Sequence, residues 1–262
     1  LVVTFAPTAS GAFNDSIELS YNDGVNTQTQ TRDVQGSGVA PASLSISDGP
    51  AYNYGSVVQT ASVDRAFTIT NSGALPATTL SGGGLSAPYT FKGGTFPGTG
   101  GDCSATLAAS GTCTVVVTFS PTAVGSTSDG FEITYNNGVT TVVAARTVQG
   151  TGTTAANLIV SDGPTYNFGT LANNGSAEKI LTVSNAGGYI ATAMAGSGLA
   201  APFSFKGGTY PGTGGDCSTT LAASATCTVV IVYSPVSIAT HSDTVEISFN
   251  TGLATTTSNR AL

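Results

Sequence analysis

Apolar and polar residues alternate in short runs along this chain. Phe131, Ile133 and Tyr135 interleave with Glu132 and Thr134, and Ile17/Leu19/Tyr21 and Val245/Ile247/Phe249 repeat the arrangement. A period of two marks a strand with one buried face. Asn136-Asn137-Gly138 follows at once, matched by Asn22-Asp23-Gly24 and Asn250-Thr251-Gly252. Such triplets supply the positive-φ residues of a tight hairpin turn. The return strand is predicted from about Val139 to Val148. Val115, Val117 and Phe119 form a further strand, stopped by Ser120-Pro121, and Leu44 to Ile46, Ala66 to Thr70 and Tyr89 to Phe91 are others. No sustained 3.6-residue periodicity accompanies them, so helices are not expected. About seven short strands in roughly 110 residues, with turns every 8–12 or so, predict an all-β fold of immunoglobulin-like sandwiches.

The pattern recurs with an offset of 114 residues. Ser47-Asp48-Gly49-Pro50 returns as Ser161-Asp162-Gly163-Pro164, and the stretch Phe91 to Cys103 returns as Phe205 to Cys217. Phe5-Ala6-Pro7, Phe119-Ser120-Pro121 and Tyr233-Ser234-Pro235 give a third register. A unit this long can hold its own core, so the repeats are domains in tandem. The division expected is 1–38 as the C-terminal part of an incomplete repeat, 39–152 as a full one, and 153–262 as a second whose last strand is truncated. Gly150 to Thr154 and Gly36 to Pro41 read as short linkers. Three strands cannot close a sandwich, so the first block is expected either to continue an array or to be completed by strands from another chain.

Charged residues make up 8% of the chain, the net charge is −7, and the seven basic residues are scattered. Nucleic-acid binding needs clustered Lys and Arg and is not expected. Low charge weakens the repulsion that keeps monomers apart, which suits self-association. No apolar run is long enough to cross a membrane as a helix.

Cys103/Cys113 and Cys217/Cys227 occupy the same place in each unit. An even count at fixed spacing, with no CxxC and no partner histidines, predicts two disulfides and an oxidising compartment. His241 is the only histidine, its counterpart is Thr127, and no GxSxG elbow is present; it reads as an exposed loop residue, and no catalytic residue, metal or cofactor is predicted. Glu18/Arg32, Glu132/Arg146 and Glu246/Arg260 recur on paired strands and are expected to form cross-strand ion pairs. Calcium near Asp15 or Asp102 is the sharper alternative, without the loop pattern it would need. Lys92 and Lys206 adjoin inward-facing phenylalanines and are expected to point outward rather than into an isopeptide bond. Tyr and Phe exchange between copies at 54/168, 89/203, 96/210, 119/233 and 135/249, which predicts that the ring and not the hydroxyl matters there.

Cys-x9-Cys, alternating valines, Phe-Ser-Pro-Thr-x-x-Gly, Phe-Glu-Ile-Thr-Tyr-Asn-Asn-Gly and Val-Gln-Gly-Thr-Gly together resemble the choice-of-anchor D type repeats of bacterial surface and secreted proteins, related to the ASPM/SPD-2/hydin-like superfamily. The resemblance implies tandem sandwiches in long, exported, often anchored proteins. Joined to the composition, it leads to the expectation of a non-enzymatic segment of an extracellular fibre or surface stalk whose partner is another copy of itself. A second reading is an adhesin repeat that binds a surface glycan or protein.

Overall fold

The computed structural model describes residues 1–262 and contains strands and no helix. The first block is one hairpin, β1 (Gly11–Asn22) and β2 (Thr27–Gly38), paired with nothing else. The middle repeat contributes β3 (Leu44–Ile46), β4 (Ala51–Val58), β5 (Val63–Asn71), β6 (Ala77–Gly83), β7 (Tyr89–Phe91), β8 (Thr106–Leu107), β9 (Thr112–Phe119), β10 (Gly125–Asn136) and β11 (Thr141–Thr153). One sheet runs β3-β5-β9-β7 and the other β4-β11-β10-β6-β8. Their inner faces meet through alternating side chains: Phe67 of the first sheet packs on Phe131 of the second with ring centroids 5.0 Å apart. This is an immunoglobulin-like sandwich, in which strands such as β5 and β10 bury alternate residues.

The last repeat contains β12 (Leu158–Val160), β13 (Ala177–Asn185), β14 (Thr192–Ser197), β15 (Phe203–Phe205), β16 (Thr226–Tyr233), β17 (Thr244–Asn250) and β18 (Thr255–Ala261), in sheets β12-β13-β16-β15 and β14-β17-β18. Leu181 and Val245 replace the Phe67/Phe131 pair, and all four are fully buried. There are two hydrophobic cores, one drawn from Ala42 to Val148 and the other from Ala156 to Leu262. Each holds one disulfide, Cys103–Cys113 or Cys217–Cys227, with Cα atoms 4.9 Å apart. Closing so short a loop removes unfolded-state entropy equivalent to about 3 kcal/mol.

Residues read as linkers are strand instead. Gly150 to Thr153 complete β11, and Gly36 to Gly38 complete β2. The reason is lateral pairing. β11 is held by β10 antiparallel on one side and by β4 parallel on the other, so its glycine-rich end has ladder partners that local composition does not reveal.

Candidate assembly interface

The two passages between repeats are built alike. The Ala42 amide donates to the Asn137 carbonyl (3.0 Å), and the Ala156 amide donates to the Thr251 carbonyl (3.0 Å). Asn137 and Thr251 belong to the β10–β11 and β17–β18 turns. Each linker is therefore fastened to the hairpin tip of the repeat that follows it. A second tie joins the Ala74 amide to the Ala40 carbonyl (3.2 Å), and at the other junction the Gly188 amide to the Thr154 hydroxyl (2.8 Å). Gly73 and Gly187 lie against the linker so closely that a Cβ would collide with the carbonyl of Pro41 or Ala155. At the second junction Val58, at the tip of β4, reaches the turn at Gly252, where a Cβ would meet Val58 and Tyr189 at 2.7 Å each.

A buried asparagine organises each entry. Asn71 is fully buried; its Oδ1 accepts from the Ser43 (3.1 Å) and Gly73 (3.0 Å) amides. Its Nδ2 donates to the carbonyls of Leu75 (2.9 Å), Leu107 (3.3 Å) and Ala108 (3.1 Å). Asn185 makes the same set with Asn157, Gly187, Tyr189, Leu221 and Ala222. One side chain thus joins the incoming chain, the glycine turn and the disulfide-closed loop, with its hydrogen-bonding capacity used in full. Sequence reasoning passed over these residues, although Asn-Ser-Gly and Asn-Ala-Gly recur at the repeat offset.

The anticipated Glu–Arg pairs do not form. Arg32, Arg146 and Arg260 stand opposite Ile17, Phe131 and Val245, whereas Glu18, Glu132 and Glu246 stand opposite Thr31, Ala145 and Asn259. The strand period places acid and base on opposite faces. The arginines instead bind backbone carbonyls: Arg146 donates to Ile46, and Arg260 donates to Ser161 (2.8 Å), Pro164 (2.9 Å) and Val160. A Cβ on Gly49 or Gly163 would strike the guanidinium, which explains the recurrent Ser-Asp-Gly-Pro. The ion pairs present are Arg65–Asp48 (2.7 Å) and Lys179–Asp162 (2.7 Å), with the cations over the rings of Tyr52 and Tyr166, together with Lys92–Asp64 (2.7 Å) and Lys206–Glu178 (2.8 Å). Hydrogen bonding to Arg65 holds the Asp48 carboxyl below its ordinary range.

Asp102 and Asp216 are bound locally. Each accepts from the hydroxyl and the amide of one threonine, Thr114 or Thr228, at 2.6–2.7 Å, and these bonds lower both carboxyls below the ordinary aspartate range. No three acids, histidines or cysteines converge as a metal site.

Aromatic hydroxyls matter more than their exchange between copies suggests. Tyr89 stacks on Phe119 at 4.8 Å and its hydroxyl donates to the Thr127 carbonyl (3.0 Å). In the last repeat Phe203 stacks on Tyr233 at 4.7 Å, and the Tyr233 hydroxyl is hydrogen-bonded to His241 Nδ1 (3.1 Å). The hydroxyl has moved to the other ring and its partner has changed from threonine to histidine. His241 is therefore half-buried, not an exposed loop residue. Its Nε2 meets the Ser237 hydroxyl at 3.2 Å, but a phenol stands where a carboxylate would orient a catalytic imidazole. Tyr54 and Tyr135 also have partners, the Val117 carbonyl (2.8 Å) and the Leu44 amide (3.0 Å). Tyr210 has none, and burial pushes its phenol up to about 12.

Beside His241 lies a groove of about 460 Å³, between Thr165–Leu171 and Pro235–His241. In the middle repeat the same place is filled by the end of β11, with Gln149 beside Asn53, Thr151 beside Ser56 and Gly152 beside Val57. In the last repeat one parallel bridge, Thr165 to Ala261, joins the corresponding segments within the residues described.

No family model and no curated protein matches the chain in sequence. Among solved structures it is similar to the Vibrio cholerae protease VesB, with 21% identity over 42% of this chain, 32% of that chain and a TM-score of 0.34. The human CEP192 ASH/PapD-like domain 7 aligns at 16% identity over 44% of this chain and 88% of that one, with a TM-score of 0.34. Protocadherin gamma B7 extracellular cadherin domains 1–4 align at 9% over 96% of this chain and 56% of that one, with a TM-score of 0.37. The chain thus spans about a third of VesB's length. The fold assignment rests on the strand order itself.

Proposed function

We propose that this chain is a non-enzymatic structural segment of an extracellular bacterial fibre or surface stalk, of the choice-of-anchor D type, in which sandwiches are added in series to give reach. The observation that carries this reading is the sameness of the two junctions. A linker fastened by its backbone to the next hairpin tip, against a glycine that admits no side chain, fixes how one repeat follows another. Two buried disulfides suit an oxidising location. No helix is long and apolar enough to cross a membrane. Small-angle scattering tests the proposal: each sandwich adds about 40 Å if its strands follow the array axis, and Gly73→Val with Gly187→Val shortens the largest dimension by freeing the junctions. Compact particles, or a dimension unchanged by the double variant, defeat it.

A shallow depression of about 290 Å³ favours a second reading. It is lined by Asn53, Ser126, Thr127, Ser128, Gln149, Gly150 and Thr151, with no apolar residue. Hydroxyls and amides of this kind suit an adhesin that binds a surface glycan, and a saturable signal on a glycan panel, lost with Asn53→Ala and Gln149→Ala, would favour it over the stalk.

A further inference from the structure

We propose that the middle repeat is a load-bearing unit, whose β4–β11 ladder is strained in shear when the chain is pulled from both sides of it. The inference rests on the reading as a fibre segment and deepens it by naming the element that carries tension. The places where the chain enters and leaves the repeat fix the direction of the load. The incoming linker is fastened at Ala42 to the Asn137 carbonyl, in the turn from which β11 starts. The chain leaves at Thr153, the far end of β11. Entry and exit are therefore separated by the length of β11, thirteen residues or roughly 40 Å. Tension passed through the repeat runs along that strand.

β4 and β11 lie side by side and parallel, so this tension drives them past each other. A pull on the entry draws β4 back toward the Asn137 turn, and a pull on the exit draws β11 the other way. The six registered pairs from Thr147/Ala51 to Thr153/Val58 then share the load. A ladder opened from one end loses its bonds one after another; a ladder loaded along its strands must yield as a unit. Forced unfolding is governed by the rate of crossing that barrier, not by equilibrium stability. β3 precedes β4 on the path and is the weaker attachment, with three pairs to β5 and the Arg146 guanidinium donating to the Ile46 carbonyl. It yields first, and tension then falls on β4.

Two features keep the β4–β11 ladder from creeping. Its register shifts between Gln149 and Thr151, beside Gly55 at φ +73°, where Asn53 Oδ1 accepts from the Gly55 amide (2.8 Å). A regular ladder can slip by two residues and re-form its bonds, whereas one with a shift in it cannot. The ladder is also dry on one side. Tyr54, Val57, Val58 and Val148 are buried there, and the Tyr54 hydroxyl donates to the Val117 carbonyl (2.8 Å), which ties β4 to β9 of the opposite sheet. Gly150 lets β11 sit flush on that core, since a Cβ would enter the Phe119 ring at 2.6 Å. Water that would replace the stretched bonds is excluded from this face, where the low dielectric strengthens them.

The test pulls the full chain in optical tweezers between DNA handles joined by maleimide to introduced thiols, the native cysteines all being in disulfides. Val39→Cys with Thr154→Cys loads the ladder in shear, and Thr60→Cys with Thr154→Cys opens the same ladder from its Val58/Thr153 end. The first geometry should need at least about twice the rupture force of the second. Two variants separate the ladder from overall stability. Gly150→Ala should lower the shear force by about half. Phe131 packs on Phe67 away from the ladder, and Phe131→Val takes the residue that stands at Val245 in the last repeat; it should lower the melting temperature and leave the shear force unchanged. Equal forces in the two geometries overturn the proposal, and so does a shear force that follows the melting temperature across the variants. Either result leaves the fibre reading standing, because that reading falls only to compact particles or unchanged dimensions in scattering.

Discussion

Ala51–Val58 and Thr165–Ala172 are alike in pattern, Ala-Tyr-Asn-Tyr-Gly-Ser-Val-Val against Thr-Tyr-Asn-Phe-Gly-Thr-Leu-Ala, yet only the first is a strand. In the middle repeat β11 extends to Thr153 and pairs with β4 in parallel, whereas one parallel bridge, Thr165 to Ala261, joins the corresponding segments of the last repeat within the residues described. Tyr54 is buried as a result, whereas its counterpart Phe168 is half-buried and lines a groove. Strand formation here belongs to the pair of segments and not to either alone, because an extended segment without a ladder partner gains no interstrand hydrogen bonds to offset its ordering.

The largest effects are expected where the two repeats are built alike. Asn71→Ala and Asn185→Ala each strand buried amides and carbonyls and should cost on the order of 4 kcal/mol, equally in both repeats. Urea unfolding, followed by a probe in each core, checks this, and a large inequality would mean that the open groove weakens the clamp beside it. Reduction of the disulfides comes next, at about 3 kcal/mol per repeat, read as a fall in the two melting temperatures after treatment with a reductant. Gly150→Ala sharpens the contrast because it acts on one repeat alone. Its methyl group meets the Phe119 ring and should unseat β11 from β4 at a cost of about 2 kcal/mol, with faster amide exchange at Gln59, whose N–H is held by Thr153; the last repeat should be unaffected.

The smallest effect is on acid stability. The Thr114 and Thr228 bonds lower the Asp102 and Asp216 carboxyls, so the folded state binds protons less readily than the unfolded chain. Their contribution is complete above the ordinary aspartate value and declines as pH falls below about 4. Asp102→Asn should flatten the acid limb of the middle repeat's melting profile and leave that of the last repeat unchanged.

Much of the fold was legible. Leu44–Ile46 and Tyr89–Phe91 are strands over the expected residues, because alternation along one segment reports a face buried by that segment. β4 was not foreseen as a strand, since its parallel partner lies about a hundred residues away. The arginines were misread for a related reason. Recurrence of Glu and Arg on paired strands says nothing of register, and one position of offset sends them to opposite faces. Asn71 was missed because a buried amide with five partners looks in sequence like any turn asparagine.

By itself the sequence determined the repeat, the strand alternation, the hairpin turns and the cysteine pairs, because each depends on residues within a few positions or on comparison with a copy of itself. Tertiary structure alone decided which edges are paired with which. Edge pairing depends on segments far apart in the chain, so the parallel β4–β11 ladder became visible only in three dimensions.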